Sequence, residues 1–159
     1  MVDLVNRYIF STSNMYILLA KDTQEQAHQF AQKYTLSMDT KSVNMVPLES
    51  VLVKLRTCDS LNYRQAFDKS LSDIISAAAY LGELLKSYGG NGTWEWFTAP
   101  DIITPSEIFK GETYYRLVIN DIPINPLEAI ICFWNYFPDL MCDRFDSLFQ
   151  KINGVAYKQ

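Results

Sequence analysis

Few side chains in this sequence are equipped for chemistry. The one histidine, His28, stands beside the apolar face of an expected helix, with no cysteine and no second histidine near it in the chain. An imidazole acts as a general base only with a nucleophile or an orienting group within hydrogen-bond reach. A Cys–His pair assembled in space is one option the sequence leaves open, and a structural or solvated histidine is the other. The cysteines Cys58, Cys132 and Cys142 are odd in number and form no Cys-x-x-Cys pair. Cys132 lies in the apolar run Ile130-Ile131-Cys132-Phe133-Trp134, where a thiol packs as a small hydrophobe. This usage fits a reducing compartment, so a cytoplasmic location is expected.

The carboxylates offer two further constellations. Asp139, Asp143 and Asp146 stand at i, i+4 and i+7. They would either gather oxygens for a hard cation or form a solvated helix face opposite Phe145 and Phe149. Glu83 follows Gly82 near an apolar seam, and with Glu95 it makes a conceivable acidic pair. A partly buried Glu83 would merit attention, because burial raises a carboxyl pKa. The glycine cluster Gly89-Gly90-Asn91-Gly92 follows a helix and precedes a strand. Phosphate loops lead instead into a helix N-terminus, so the cluster reads as a helix cap and a turn. The expectation is a non-enzyme with no catalytic residue, no metal and no cofactor.

Charge is spread unevenly. The chain of 159 residues has a net charge of −4. Residues 1–92 carry 9 acidic and 9 basic side chains, whereas residues 93–150 carry 9 acidic and only 3 basic. That second stretch also holds all three tryptophans, Trp94, Trp96 and Trp134. An acidic surface repels nucleic acid and steers a basic protein into contact; ordinary solubilising charge over an aromatic core is the alternative. No run approaches the roughly 18 apolar residues of a membrane span, and no signal peptide is expected. Neither a nucleic-acid nor a membrane partner is expected. Asn91-Gly92-Thr93 matches a glycosylation sequon but reads as turn chemistry.

The elements that must position these residues follow from periodicity. Arg7–Phe10 and Met15–Ala20 are rich in β-formers around the turn-like Ser11–Asn14, which predicts a hairpin. Asp22 with Glu25 marks a helix start, and Ala27, Phe30, Ala31 and Tyr34 give it one apolar face, ending near Leu36. Pro47 opens a short helix carrying Leu48, Val51, Leu52 and Leu55, with a strand over Val51–Leu55 as the rival. From about Leu61 to Tyr88 an apolar seam (Phe67, Leu71, Ile74, Ala78, Leu81, Leu85, Tyr88) predicts one long helix that Gly89-Gly90 stops. Thr93–Phe97 and Thr113–Ile119 read as strands, with Trp94 and Trp96 on one face. Asn120-Asp121 breaks the second. Asn125-Pro126 starts a helix that buries Leu127, Ile130, Ile131 and Trp134. A last helix runs from Asp139, with Phe145, Leu148, Phe149 and Ile152 inward, to Asn153-Gly154. Without βαβ alternation, the expected class is α+β: one helix-rich domain over 1–159, with a small antiparallel sheet packed on a long central helix.

The pattern Ala79-Tyr80-Leu81-Gly82-Glu83, Tyr88-Gly89-Gly90, Trp94, Asn125-Pro126 resembles that of a group of small bacterial proteins, some associated with toxin-immunity loci. In that group a helix leads through paired glycines to a strand with a tryptophan, then to a second strand and a capped helix. The resemblance spans about residues 70–135. This chain departs from it in the added Asn91-Gly92 and in the longer 98–112 segment. Gly82 would let another element approach the helix closely, and Trp94 would cover the helix.

Two functions follow as expectations. The first is a non-enzymatic protein-binding domain, an immunity-type inhibitor of a basic toxin, with contacts drawn from Trp96, Asp101, Glu107, Glu112 and Tyr114. The second is a small-molecule or regulatory domain, with Glu83, Trp94 and Tyr115 lining a pocket between the long helix and the strands.

Overall fold

The computed structural model describes residues 14–40, 44–57, 63–98, 113–136 and 145–157, the residues 63–64 and 154–157 by backbone only. The fold is α+β: helices surround a long central one, and a small antiparallel sheet packs against it. The helices are α1 (described over 14–19), α2 (Thr23–Tyr34), α3 (Val46–Arg56), α4 (Tyr63–Lys69), α5 (Leu71–Gly89), α6 (Pro126–Tyr136) and α7 (Phe145–Tyr157). The strands β1 (Gly92–Thr98), β2 (Thr113–Ile119) and β3 (Ile122–Ile124) form one sheet in that order.

The predicted hairpin strand over Met15–Ala20 is instead helix α1. Met15, Tyr16 and Leu19 are buried while Ile17 and Leu18 are exposed, so the inward positions follow helical and not alternating spacing. The partner strand Arg7–Phe10 lies outside the described residues.

Asp22 caps α2 by accepting the Glu25 N–H at 3.0 Å. Glu25 does not close the capping box, since its Oε1 accepts from Gln29 at 2.9 Å. The helix ends at Tyr34, followed by Thr35 in the left-handed region at φ 54°, and the Leu36 N–H returns to the Ala31 carbonyl. Over Val51–Leu55 the helical reading holds and the strand does not. Asn44 Oδ1 accepts the Val46 N–H at 3.0 Å, and Pro47 occupies the first turn.

The long helix expected from Leu61 to Tyr88 is two helices meeting at Ser70. The Ser70 N–H lies between the carbonyls of Ala66 at 3.0 Å and Phe67 at 3.2 Å. Such a shared bond tightens and ends a turn without any glycine or proline. Beyond it, α5 is buried on nearly every side from Ile74 to Leu85. A helix buried all round is the centre of its fold, and here α2, α6, α7, β1 and β2 all pack on it. The seam is thus covered by the chain itself. Gly90, at φ 76°, caps α5 with its N–H on the Lys86 carbonyl at 3.0 Å, as the paired glycines predict.

Two positive-φ residues, Asn120 at 51° and Asp121 at 66°, make the tight turn that pairs Ile119 with Ile122. That geometry suits a two-residue hairpin, so Asn120-Asp121 reverses the chain into β3, which sequence reading missed. Asn125 then caps α6 with Oδ1 on the Glu128 N–H at 3.0 Å, while its Nδ2 donates to the Tyr16 hydroxyl at 2.7 Å. One side chain thereby joins α1 to α6. The buried face of α6 is Leu127, Ile130, Phe133 and Trp134, with Ile131 only half-buried. Arg56, itself buried, donates from a terminal nitrogen to the Trp134 carbonyl at 2.9 Å and ties α3 to α6. The last helix continues through Asn153-Gly154 to Tyr157; its expected start at Asp139 lies outside the described residues. Among the described residues, no helix is long and apolar enough to cross a membrane.

Candidate functional site

Antiparallel pairing sets the two faces of the sheet. Directly opposed residues share a face, so Trp94 and Trp96 of β1 lie with Leu117 and Tyr115 of β2. This face turns toward α5, where Leu117 and Ile119 are fully buried. The other face carries Glu95 and Phe97 opposite Arg116 and Tyr114.

Glu83, Trp94 and Tyr115 meet where α5 passes beneath the sheet. A Cβ at position 82 would overlap the six-membered ring of Trp94 and lie 3.3 Å from Pro126. Only glycine leaves that space, so the expected close approach at Gly82 is present. The Trp94 Nε1–H donates to Glu83 Oε2 at 2.7 Å, and the Thr23 hydroxyl donates to the same oxygen at 3.2 Å. Tyr115 stacks on Trp94, with centroids 5.4 Å apart and planes within 4°. Burial, with the nearby Glu83 charge, raises the Tyr115 hydroxyl above its ordinary range. The indole therefore fills the space in which a pocket between helix and strands was expected. A groove of about 480 Å³ does adjoin Glu83, lined also by Gln24, Lys86, Ser87, Asn91 and Gly92, but it includes neither Trp94 nor Tyr115.

Trp96 and Tyr114, grouped by the sequence as one surface, fall on opposite faces. Trp96 is 47% exposed and rests on Tyr115 at 5.1 Å. Tyr114 is half-buried, edge-on to Phe97 at 5.5 Å and 5.9 Å from Tyr16. Asp101, Glu107 and Glu112 lie outside the described residues, in the segment that joins Thr98 to Thr113. Those two ends are paired, hydroxyl to hydroxyl at 2.8 Å, two residues along the strands from Trp96 and Tyr115.

Sequence reading missed Arg116. Its guanidinium lies 3.7 Å from the Phe97 ring centroid and donates from Nε and a terminal nitrogen to Glu95 Oε1 at 3.0 and 2.8 Å. The signal is an acid placed opposite an arginine, and it is visible only once β1 and β2 are in register. Glu83 and Glu95 are not brought together as a pair: Glu83 meets Trp94 on the face toward α5, and Glu95 meets Arg116 on the other face.

The remaining candidates are dispersed. His28 is exposed, and its Nδ1–H donates to the Gln24 carbonyl of its own helix at 2.8 Å. Cys132 is half-buried on α6; Cys58 and Cys142 lie outside the described residues. Asp146 is exposed on α7, while Asp139 and Asp143 lie outside the described residues. Among the described residues, no group of three or more His, Cys, Asp or Glu side chains is placed to hold a metal ion. Glu128 is solvent-accessible yet hemmed in by protein, and the partial desolvation raises its carboxyl pKa. No protein-family model, curated protein or solved structure matches this chain.

Proposed function

We propose that this chain is a non-enzymatic protein-binding domain, an immunity-type inhibitor that occludes a basic bacterial toxin in the cytoplasm. One observation carries the reading. Trp96 stands 47% exposed at the end of the sheet, held by Tyr115 beneath it, next to the paired ends of the acid-bearing connection. A large aromatic side chain that is braced and still solvent-facing is the residue type that anchors protein interfaces. The chain between those ends carries Asp101, Glu107 and Glu112, and an excess of carboxylates accelerates encounter with a basic partner. The cysteine usage and the resemblance to immunity-associated proteins support the same reading. The alternative, a small-molecule or regulatory domain, draws on the groove beside Glu83. It is less favoured because Trp94 and Tyr115 are committed to packing.

The test is affinity capture from the native lysate at low and high salt, with Trp96→Ala alongside. The expected result is one stoichiometric basic protein, released by salt and lost with Trp96→Ala while the circular dichroism is unchanged. No partner at either salt, or a partner indifferent to Trp96, overturns the reading and turns the search to ligands for the Glu83 groove.

A further inference from the structure

The two edges of the sheet are unequally defended. β3 is 3 residues long and centred on Pro123, which has no N–H to offer a neighbouring strand. β1 is 7 residues long, contains neither proline nor lysine, and runs in register with β2 from Gly92 to Thr98 without a bulge. Proteins blunt open edges by shortness, proline, charged side chains or bulges; of these β1 has one charge, Glu95, which Arg116 already pairs from the β2 side. Among the described residues β1 pairs on one side only, and Thr93, Glu95, Trp96 and Thr98 are exposed.

We propose that the outer edge of β1, unpaired among the described residues, docks an extended basic segment of a protein partner, an inference that rests on the protein-binding reading above. Main-chain hydrogen bonds along the edge supply affinity, and side-chain pairs across it supply register. Glu95 is the middle residue of β1, and its side chain is 44% exposed. Arg116 reaches it from the β2 side, with both bonds on Oε1. A lysine or arginine of the docked strand reaches the same carboxylate from the open side and repeats that cross-strand pairing. On the other face, the docked strand sets an apolar side chain beside Trp96. A second copy of this chain fits less well, because two-fold antiparallel pairing about Glu95 opposes two carboxylates.

The probe is a short synthetic peptide of alternating lysine and valine, titrated into the isotope-labelled chain while amide exchange is followed by NMR. Exchange should slow at alternate residues of Gly92–Thr98, since only every second edge amide faces outward. Raised salt and Glu95→Gln should each weaken the effect several-fold. Glu95→Lys should transfer the preference to a peptide of alternating glutamate and valine. Protection that is absent, lies elsewhere, or ignores both salt and Glu95→Gln overturns the proposal. So does β1 protection before any peptide is added in a chain that sediments as a dimer, which would give the edge to a second copy. A chain that captures a Trp96-dependent partner yet shows no β1 protection loses this docking mode and keeps its protein-binding role.

Discussion

The six-membered ring of Trp94 occupies the space that a side chain on Gly82 would need. Helix and sheet approach one another at this point because one residue has no Cβ and the other has the largest side chain. Gly82→Ala should therefore destabilise the fold by about 1–2 kcal/mol: overpacking costs ~1–3 kcal/mol, and the better helix propensity of alanine returns up to ~1 kcal/mol. The same change in a Trp94→Ala background should be neutral or stabilising. Urea unfolding of the double-mutant cycle measures this, and additive effects would deny the contact.

Glu83 holds α5, α2 and β1 through one oxygen, which accepts from both Trp94 and Thr23. Glu83→Gln keeps an acceptor for the indole N–H and should cost under ~1 kcal/mol. Glu83→Leu leaves that donor unmatched and should cost ~1–3 kcal/mol. Equal losses in chemical unfolding would show that charge matters here and hydrogen bonding does not.

Alkaline pH should unfold this protein through its tyrosines. Burial raises the Tyr80 hydroxyl from 10.0 to about 12, and Tyr16, Tyr34 and Tyr115 are raised in the same direction. Above pH 10 the unfolded chain releases these protons first, so it binds fewer protons than the folded state and stability falls as pH rises. The contribution is complete below pH 10 and is lost through about 12; for Tyr80 it is at most ~3 kcal/mol, reduced by the water that reaches its part-buried hydroxyl. Tyr80→Phe, which also removes the bond to the Ser37 carbonyl at 2.6 Å, should flatten the decline of stability between those pH values. An unchanged slope would assign the decline to other groups.

Arg116 is held both by its ion pair with Glu95 and by its flat face on Phe97. The Glu95 pair is at the surface, so Glu95→Gln should cost less than ~1 kcal/mol and less still in high salt. Arg116→Ala also removes the stack on Phe97, worth a further ~0.5–1 kcal/mol at such sites. Thermal denaturation of both variants at two salt concentrations separates the parts, since the Phe97 contribution should persist when the ionic one is screened.

Much of the fold was legible. Steps of three and four over Ile74–Leu85 identified the central helix, Gly90 its end, and Asn125-Pro126 the start of α6, because each signal is local chemistry. The break at Ser70 was not legible, since a shared backbone hydrogen bond leaves no mark on residue type. Residues 15–20 misled because a short apolar run satisfies strand and helix alike, and tertiary burial of Met15, Tyr16 and Leu19 decided it. Of the candidate site, the meeting of Glu83 with Trp94 was foreseeable from the glycine beside Glu83. The separation of Trp96 from Tyr114 was not, because faces depend on cross-strand register. Arg116 escaped notice for the same reason: its partner Glu95 is adjacent only once β1 and β2 are paired.

The three tryptophans are graded from core to water: Trp134 is 1% exposed, Trp94 is half-buried and Trp96 is 47% exposed. Their emission will accordingly span blue to red, and a soluble quencher will reach Trp96 first. The molecule thus contains an optical reporter for its own sheet end. A partner that covers Trp96 will shift and protect only the red component, while unfolding will move all three together.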